Sequence, residues 1–580
     1  MQPVDYTTMI GSCAELARDW LPARLEQVYQ RDRYTISLNL RTVKHRGWLD
    51  ISWHPQGARI CLGSPPPRVP DTFTFSDQLR HQLKGFALTQ IILVSPWERV
   101  LDLQFAKRPG EEAIWHLYVE IMAKYSNVIL TNAEQQIITV AHQVSSTQSS
   151  LRPLQTGGSY EFPPPLTTET PNLEEDYQSW QKKVSLIPRE IATGLLKTYR
   201  GLSPNLARSL VNKANLNPKQ STESLSPSDW EQLFTVWREW LTHLKEKQFI
   251  PLWTKEGYHV LGWEGVKPAD GVNQLLDHYY TQQLNQQVFQ QLRHQLEQKI
   301  TYHLGKLKTK RDTFQAKLEE STEAEAYRYK ADLLMANLQK WQPGLKKITL
   351  EDFNTAEPVT IPLNPEKNAV QNAQQLYKQH QKLKRAKDAV IPLWEETQGE
   401  INYLEQIEVN LNQLDNYQSE EDLLTLTEIK AELIQQKYLP SPQQYSNLQS
   451  NSEPRRYTTP SGFTLLIGRN NRQNELLTFR VATDYDLWFH TQEIPGSHVL
   501  LRLEPGSIPT EEDLQFTADL TAYYSKARES EQVPVIYTEP KHVYKPKGSP
   551  PGIAIYKKER VIWGRPQIAK AYADTIVAVP

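Results

Sequence analysis

The sequence lacks any long hydrophobic run. Its longest purely aliphatic segment, Ile91–Val94, has four residues, whereas a helix that crosses a bilayer needs about 20. Residues 1–5 (MQPVD) contain no basic stretch followed by an apolar one, so no secretory signal is expected. The sequence therefore predicts a cytoplasmic protein without a membrane partner.

Cysteine and the common enzymatic signatures are also scarce or missing. Only Cys13 and Cys61 are present, which excludes a disulfide scaffold and a cysteine-rich metal site and predicts two reduced, buried thiols. The sequence has no phosphate-binding Gly-rich loop ending in Gly-Lys-Ser/Thr, no His-Glu-x-x-His, no Gly-x-Ser-x-Gly and no Cys-x-x-Cys. It therefore predicts no catalytic residue, no metal site and no cofactor.

An excess of one charge is absent as well. Lys and Arg total 65 and Asp and Glu total 67, which gives a formal net charge of −2. A protein that binds nucleic acid through an overall positive charge is thereby excluded, but a local basic surface is not. The chain has 580 residues, enough for three or four domains of about 150 residues each.

Residues 1–175 are predicted to form a mixed α/β domain. Apolar side chains recur at helical spacing in a first amphipathic helix, which we expect to contain Leu16, Trp20, Leu21, Leu25 and Val28. The short segments typical of strands are 35–40, 48–51, 91–94 and 128–130. A proline-rich stretch at 153–171 marks the boundary, because proline lacks the amide donor that a helix or sheet interior needs.

Residues 176–275 are predicted to be helical. Within them, Tyr199–Pro204 is a tight turn between two segments with apolar periodicity. It resembles a helix-hairpin-helix, whose turn amides bind a nucleic-acid phosphate at a helix N-terminus. An ordinary pair of antiparallel helices is an equally good interpretation of this turn.

Two long stripes of apolar residues lie within residues 280–440. The first runs through Leu292, Leu296, Ile300, Leu304, Leu307, Phe314 and Leu318, and the second through Leu376, Leu383, Val390, Trp394, Ile401, Leu404 and Leu411. This spacing predicts an antiparallel coiled coil with a small insert at its tip, at about 320–375. Because proline is absent from 285 to 340, one helix is expected across that range. A compact helical bundle is the alternative.

A polar linker is predicted at 441–456, followed by a C-terminal α/β domain at 457–566 and a tail at 567–580. The domain is expected to begin with a strand at Phe463–Ile467. Its most distinctive segment contains Asp486, Trp488 and His490, which the period of a strand places on one face, and a Pro-Gly turn returns His498 towards that face. Three interpretations remain open: an RNA-facing row with an indole for stacking, a structural hydrogen-bonded cluster, and a metal site.

A basic hairpin is predicted at Thr538–Arg565, near the end of this domain. It carries seven Lys or Arg and two Glu, a local charge of +5, with Tyr537, Tyr544, Tyr556 and Trp563 interleaved. Phosphate attraction combined with aromatic stacking is typical of an RNA-binding surface. The candidate RNA-binding residues here are Lys541, His542, Lys545 and Lys547. A solvated charged edge is the alternative.

In the first domain, Glu98 and Arg99 follow a predicted strand and a Ser-Pro turn. A carboxylate beside a guanidinium at a strand end recognises ligands that both donate and accept hydrogen bonds. Taken alone, the pair is more typical of an ordinary surface ion pair.

Together these segments resemble the NFACT family over nearly the whole chain. The most specific segments are Asp486–Val499, Lys541–Gly548, Leu363–Pro365 followed by Asn368-Ala369 and Leu383-Lys384, and Val119–Asn127. The resemblance implies a multidomain α+β protein. Its expected parts are an N-terminal domain like that of MutM-type DNA glycosylases, a helix-hairpin-helix, a long antiparallel coiled coil with a tip domain, and a C-terminal RNA-binding α/β domain.

The resemblance also implies a function. Such proteins are ribosome-associated quality-control factors, which bind large ribosomal subunits obstructed by peptidyl-tRNA, contact ribosomal RNA and recruit tRNA, in bacteria alanyl-tRNA. They promote an untemplated C-terminal tail, while the ribosome itself forms the peptide bonds. The family's tRNA-reading residues correspond to Asp5, Glu98 and Arg99. Glu98 replaces the usual Asp, which leaves a non-tailing RNA-binding scaffold as the alternative function. An older name for such proteins, fibronectin-binding protein, implies a surface adhesin. This function is disfavoured because no secretory signal is expected.

Overall fold

The computed structural model of the chain describes residues 1–67, 70–164, 167–353, 355, 357–440 and 452–576. The chain divides into two compact units, Met1–Leu284 and Asn285–Pro580. Most of the predicted linker at 441–456 and the last four residues of the predicted tail lie outside the described residues.

The first unit is built on an antiparallel sheet of nine strands in the order β4-β3-β2-β1-β5-β6-β7-β8-β9. Two helices accompany it, α1 (Tyr6–Trp20) and α2 (Thr74–Leu83). The strands are β1 (Ala23–Asp32), β2 (Thr35–Arg41), β3 (Arg46–Ser52), β4 (Arg59–Gly63), β5 (Ala87–Leu93), β6 (Val100–Ala106), β7 (Trp115–Glu120), β8 (Asn127–Asn132) and β9 (Ile137–Val140). The four predicted strand segments fall in β2, β3, β5 and β8.

The first helix is shorter than its apolar spacing predicts. It ends at Trp20, and Leu25 and Val28 lie in β1, where both are buried. The physical reason is Pro22, because a proline disfavours helical geometry at the preceding residue, and Leu21 is extended. The interpretation of Leu25 and Val28 as helical is therefore wrong.

Four helices and three short strands complete the first unit. They are α3 (Tyr177–Ser185), α4 (Ile191–Thr198), α5 (Pro204–Lys213), α6 (Pro227–Glu246), β10 (Leu252–Trp253), β11 (Tyr258–His259) and β12 (Lys267–Pro268). Trp180, Trp230, Trp237 and Trp240 are buried among these helices and belong to the same hydrophobic core as the sheet. The sheet and the helices therefore share one core, which fixes the turn between α4 and α5 relative to the strand ends.

Long helices form the first part of the second unit. They are α7 (Val272–Thr322), whose residues from Asn285 onward belong to this unit, α8 (Ala324–Ala336), α9 (Ala369–Asn412) and α10 (Glu420–Gln435). The ion pairs Lys308–Glu405 at 2.8 Å and Arg293–Asp415 at 3.6 Å show that α7 and α9 run antiparallel. With 51 residues, α7 is about 77 Å long.

The helix predicted across 285–340 is interrupted once. It breaks at Glu323, between α7 and α8. The hydroxyl groups of Ser321 and Thr322 donate to the carbonyls of Leu318 and Glu319, and such local bonds compete with continuation of a helix. The prediction of one continuous helix to residue 340 is therefore wrong.

Buried apolar side chains are concentrated at the two ends of this helical region. At one end, α7 packs on α9 and α10 through residues such as Phe289, Ile300 and Leu404. At the other, α8 packs on the start of α9 and on a hairpin of β13 (Lys347–Glu351) and β14 (Pro358–Pro362). The segment predicted as a tip insert thus has a small core of its own.

The C-terminal part of the second unit is an antiparallel sheet of six strands in the order β15-β16-β18-β17-β19-β22, and β20 pairs with β21 in a separate hairpin. The predicted strand at Phe463–Ile467 corresponds to β16. The elements are β15 (Arg455–Thr458), β16 (Thr464–Ile467), α11 (Asn471–Leu476), β17 (Leu487–Thr491), β18 (Val499–Leu501), α12 (Glu511–Tyr523), β19 (Val533–Thr538), β20 (Val543–Tyr544), β21 (Ile555–Tyr556), β22 (Arg560–Gly564) and α13 (Pro566–Ile576).

A row of uncharged amide side chains, two on α9 and one at its C-cap, docks the sheet domain. The apolar periodicity did not indicate this row. The Gln406 amide both donates to the carbonyl of Gly496 at 2.6 Å and accepts from its N–H at 2.9 Å. Asn410 donates to the side chain of Asn471 at 3.1 Å, and Gln413 donates to the carbonyl of Tyr524 at 2.9 Å. We name these three glutamine and asparagine contacts the amide seam.

Glu432 on α10 is a buried acid close to the amide seam. Tyr403 donates to its carboxylate at 2.7 Å and Asn471 at 3.0 Å. Burial raises the pKa of Glu432 to about 7, although both hydrogen bonds oppose the shift. The carboxyl is therefore protonated more readily in the folded state than in the unfolded chain.

This raised pKa predicts how Glu432→Gln changes stability with pH. Between the unfolded pKa, about 4.3, and the folded value, the folded protein binds more protons, so ionisation of Glu432 removes stability as pH rises. Glu432→Gln should therefore gain stability relative to wild type, by up to about 3 kcal/mol above pH 7 and little at pH 4. Thermal unfolding across pH 4–8 measures it. The exposed Glu366→Gln serves as the control, and equal pH profiles for all three proteins would contradict the prediction.

Candidate nucleic-acid interfaces

Asp5 ties the start of α1 to the start of α5. It is buried and caps α1, its Oδ1 accepting from the N–H of Thr8 at 2.8 Å. Its Oδ2 accepts from the hydroxyl of Ser203 at 2.7 Å. Ser203 in turn caps α5 by accepting from the N–H of Leu206 at 3.0 Å. Two helix N-termini are therefore joined through one carboxylate.

Arg99 lies in the same place. Its Nη1 donates to the carbonyl of Val4 at 2.9 Å, which fixes the guanidinium beside the N-terminal segment. Burial lowers the pKa of Arg99, while the charges of Asp5 and Glu98 raise it. The fold thus brings together the three candidate tRNA-binding residues, Asp5, Glu98 and Arg99.

Glu98 makes its ion pair with a residue that the sequence did not indicate. Its Oε1 is 3.0 Å from Nη1 of Arg200, and both side chains are largely buried. Arg200 also donates through Nε and Nη2 to the carbonyl of Thr168, at 3.0 and 2.9 Å. The only signal for Arg200 was its position in the turn between α4 and α5. It lies 102 residues from Glu98, so sequence spacing alone did not connect them.

Trp97 sets the geometry of the loop that carries Glu98 and Arg99. Its backbone is left-handed, with φ of 65°, and its ring stacks on Tyr6 at 4.6 Å between centroids. Gly201 faces it from the turn, and a Cβ at Gly201 would lie 2.6 Å from the indole. Since Gly201 itself has φ of +83°, only glycine suits this position. The strand-end loop and the helix turn are therefore packed against each other.

The motif around Asp486 lies inside the C-terminal domain. The carboxylate is fully buried and accepts from the N–H groups of Thr483 at 2.8 Å and Leu503 at 3.0 Å. It also pairs with Nε of Arg502 at 3.2 Å. Asp486 thus closes a turn before β17, which itself begins at Leu487, and presents no carboxylate surface to an RNA.

Trp488 is buried as well, so the expectation that it offers an indole for stacking is corrected. Its side chain is 1% exposed, and its Nε1 donates to the hydroxyl of Thr478 at 2.9 Å. The ring stacks on His490 at 5.8 Å, as the strand period predicts, and Tyr556 of the basic hairpin covers it at 6.0 Å. An aromatic ring on a strand is buried whenever a second layer packs on that face, and here the hairpin is that layer.

His498, which is buried, and His490, which is half-buried, belong to the same cluster. Nδ1 of His498 lies 2.7 Å from the hydroxyl of Thr478, and the two imidazoles contact each other at 5.3 Å between centroids. Burial lowers the pKa of His490 to about 4 and that of His498 well below its usual range. Both rings are therefore neutral and attract no phosphate. Of the three interpretations of this motif, the hydrogen-bonded structural cluster describes the observed contacts.

The basic hairpin lies at the surface. Lys541, Lys545 and Lys547 are exposed and His542 is half-buried. Lys541 pairs with Glu539, and Lys545 pairs with Glu475 at 2.8 Å. These are surface ion pairs, which water weakens, so both lysines remain available to phosphate.

The exposed aromatic rings of this surface are Tyr544 and Trp563. Tyr544 is 48% exposed and Trp563, on the edge strand β22, is 56% exposed. Nζ of Lys557 lies 5.8 Å above the centroid of the Tyr544 ring. The sequence indicated Trp563 only as one of several interleaved aromatic residues. It did not predict that Trp563 is exposed whereas Tyr556 is covered.

Within the described ranges, no group of three or more His, Cys, Asp or Glu side chains has an arrangement that could hold a metal ion. No helix in the same ranges is both long and apolar enough to cross a membrane.

Comparison with known proteins assigns the class of protein. Residues 5–452 match the NFACT N-terminal and middle domains, and residues 454–554 match the NFACT protein RNA binding domain. The chain therefore belongs to the NFACT family, a multidomain α+β class in which the second of these regions is named for RNA.

Among curated proteins the chain is similar to the Rqc2 homolog RqcH of Bacillus subtilis (strain 168), with 30% identity over 586 residues that cover 98% of each chain. It is 29% identical to the Rqc2 homolog RqcH of Streptococcus suis (strain 05ZYH33), over 95% of each chain. A solved structure, the C-terminal part of a fibronectin/fibrinogen-binding protein from Streptococcus suis, is 30% identical and covers 49% of this chain and 98% of its own, with a TM-score of 0.38.

Proposed function

We propose that this protein is a ribosome-associated quality-control factor of the cytoplasm. It binds large ribosomal subunits obstructed by peptidyl-tRNA and recruits a tRNA, alanyl-tRNA by family resemblance, so that an untemplated tail is added to the stalled chain. The observation that carries the proposal is the match to RqcH proteins over 98% of both chains. It extends across every described domain, so the proposal concerns the whole protein.

The cluster of Asp5, Glu98 and Arg99 supports the tRNA-binding part of the proposal. Bases outside a duplex expose their Watson–Crick edges. The Glu98 carboxylate accepts from exocyclic amines, and Arg99 donates to ring nitrogens and carbonyls. Arg200 holds Glu98 at 3.0 Å and so orients its carboxylate. We assign anticodon-arm recognition to this cluster.

The protein itself forms no bond in this scheme. The ribosome makes the peptide bonds, and the role of the chain is to position tRNA, so no catalytic residue is assigned. We assign residues 1–175 to the MutM-like domain that the family resemblance implies, and α7 with α9 to its coiled coil. A helix about 77 Å long suits a lever that reaches ribosomal RNA far from the tRNA.

Purification of the wild-type protein from its own cells tests the proposal. We expect large subunits rather than intact ribosomes to co-sediment with it, and one tRNA isoacceptor family to be enriched in the bound RNA. Mass spectrometry of proteins released from these subunits should show C-terminal tails of one residue type. An absence of both subunits and tRNA would refute the proposal.

A second candidate function is a scaffold that binds the obstructed subunit without tailing. The observation in its favour is Glu98 itself, because the family usually has Asp at this position and the carboxylate here extends one methylene further. Enrichment of large subunits without tRNA or tails would select the scaffold.

The exposed lysines of the basic hairpin give a separate prediction. Replacing Lys541, Lys545 and Lys547 by Ala removes up to three phosphate contacts. The slope of log affinity against log salt for a single-stranded RNA should then become shallower by about two, at about 0.7 for each contact. Fluorescence anisotropy at several salt concentrations measures this slope. Lys570→Ala, an exposed lysine of α13, is the control, and an unchanged slope in the triple variant would identify the hairpin as a solvated edge.

A further inference from the structure

A tight turn lies next to the loop that carries Glu98 and Arg99. It connects β7, which ends at Glu120, to β8, which begins at Asn127. At its start, the N–H of Ile121 donates to the carbonyl of Arg99 at 2.9 Å. The turn is therefore joined by a backbone hydrogen bond to a residue that we assign to tRNA recognition.

Internal hydrogen bonds fix the shape of this turn. The hydroxyl of Ser126 accepts from the N–H of Met122 at 2.8 Å and donates to the carbonyl of Ala123 at 2.7 Å. The N–H of Tyr125 donates to the carbonyl of Met122 at 3.0 Å. Ala123 has φ of 50°, a left-handed conformation that persists only where the surrounding contacts hold it and that is common at ligand-binding sites. The turn therefore holds Tyr125 in a fixed position close to Arg99.

The tip of the turn presents an aromatic ring and a cation to the surface. Tyr125 is 71% exposed, and Nζ of the exposed Lys124 lies 4.9 Å from the centroid of its ring. Lys124 makes no ion pair with any residue in the part of the chain that the structure describes. The ammonium covers one face of the ring and leaves the other face to a ligand. An exposed ring beside a cation is typical of sites for single-stranded nucleic acid, where bases stack and the backbone is attracted by positive charge.

We propose that Tyr125 stacks on an unpaired base of the tRNA loop whose neighbouring bases meet Glu98 and Arg99. Lys124 contacts a phosphate of the same loop. This inference rests on the proposed tRNA-binding function and adds to it a residue that holds the loop irrespective of its sequence. Stacking tolerates every base because each has a π face, whereas Glu98 and Arg99 contact the edge of a base. Tyr125 thus supplies affinity, and the other two residues supply selectivity.

The separation of Tyr125 from Arg99 suits nearby bases of one RNA loop. The path between them consists of the hydrogen bond to Ile121, one Cα step of about 3.8 Å and a turn that spans at most about 7 Å. Stacked bases of one strand lie about 3.4 Å apart, so the two residues meet bases a few nucleotides apart. The positive charge of Lys124 favours a negatively charged partner, which the RNA backbone supplies.

Binding of an RNA hairpin to the full-length protein tests the stacking contact. The probe copies the anticodon arm of an alanine tRNA and carries in its loop a fluorescent base analogue whose emission falls on stacking. Tyr125→Ala should weaken binding about 5- to 150-fold by fluorescence anisotropy and abolish the fall in emission. Tyr125→Phe keeps the ring and should match wild type in both measurements. Lys124→Ala should make the slope of log affinity against log salt shallower by about 0.7.

Tyr302→Ala is the matched control, since Tyr302 is 64% exposed on α7 and should affect neither measurement. Equal thermal unfolding of all variants shows that the fold is intact. If Arg99→Ala weakens hairpin binding and Tyr125→Ala does not, the proposed function stands and this inference is overturned. A loss confined to co-sedimentation with large subunits would also overturn it, in favour of a protein contact at Tyr125. If the wild-type protein binds no hairpin and purifies without tRNA, both proposals fail.

Discussion

Arg99→Ala should abolish the enrichment of one tRNA isoacceptor family while association with the large subunit persists. The guanidinium is fixed by the carbonyl of Val4 and lies beside the charges of Asp5 and Glu98. A bidentate contact to a base discriminates by roughly 1–3 kcal/mol, which corresponds to about 5- to 150-fold. Sequencing of the tRNA that co-purifies with wild type and variant from the same cells measures the effect, and C-terminal tails should disappear with it.

Two further variants make this experiment specific. Glu98→Asp restores the usual residue of the family and should retain the enriched tRNA if Arg200 follows the shorter side chain. Arg18→Ala removes an exposed arginine whose partner is the adjacent Asp19, and should change nothing. If wild type and Arg99→Ala carry the same enriched tRNA, Glu98 and Arg99 have a structural role and tRNA is recognised elsewhere.

Removal of residues 316–388, which include the end of α7 and the start of α9, should eliminate co-sedimentation with large subunits. The whole of 285–430 cannot be deleted cleanly, because Gln406 and Asn410 hold the C-terminal domain. Excision of 316–388, with a short Gly-Ser connection, keeps the ion pair Lys308–Glu405 and the apolar cluster beside it. Sucrose-gradient sedimentation should show loss of most of the subunit-bound fraction, since a lever without its far end cannot span two sites.

The binding of a free single-stranded RNA serves as the control for this excision. We assign this binding to the basic hairpin, which the excision leaves untouched, so its affinity should equal that of wild type. If the shortened protein still co-sediments fully, α7 and α9 do not act as a lever and the subunit is held by the remaining domains.

Local patterns in the sequence predicted much of the fold. The alternating or continuous apolar segments at 35–40, 48–51, 91–94 and 128–130 lie in strands, and the turn at Tyr199–Pro204 joins two helices as its Gly and Pro indicate. Patterns of this kind are local, because strand and turn preferences act over a few residues. The apolar spacing wrongly predicted Leu25 and Val28 to be helical, because Pro22 ends the helix before them.

Long-range contacts could not be predicted in this way. Glu98 finds Arg200 across 102 residues, and only the shared core of the first unit brings them together. Trp488 is covered by a hairpin that begins fifty residues later, so its burial depends on packing rather than on strand period.

The amide seam has a consequence for any experiment that varies ionic strength. Its hydrogen bonds join uncharged groups, namely Gln406 with Gly496, Asn410 with Asn471, and Gln413 with Tyr524. Mobile ions screen interactions between charges and leave contacts between neutral dipoles almost unchanged. Ion pairs such as Lys526–Glu405, at 3.1 Å, also join this domain to α9 and weaken in salt, whereas the amide seam persists. A salt titration should therefore release RNA phosphates from the basic hairpin before it separates the sheet domain from α9. The protein can thus be washed free of bound RNA in concentrated salt and remain assembled, ready to bind it again on dilution.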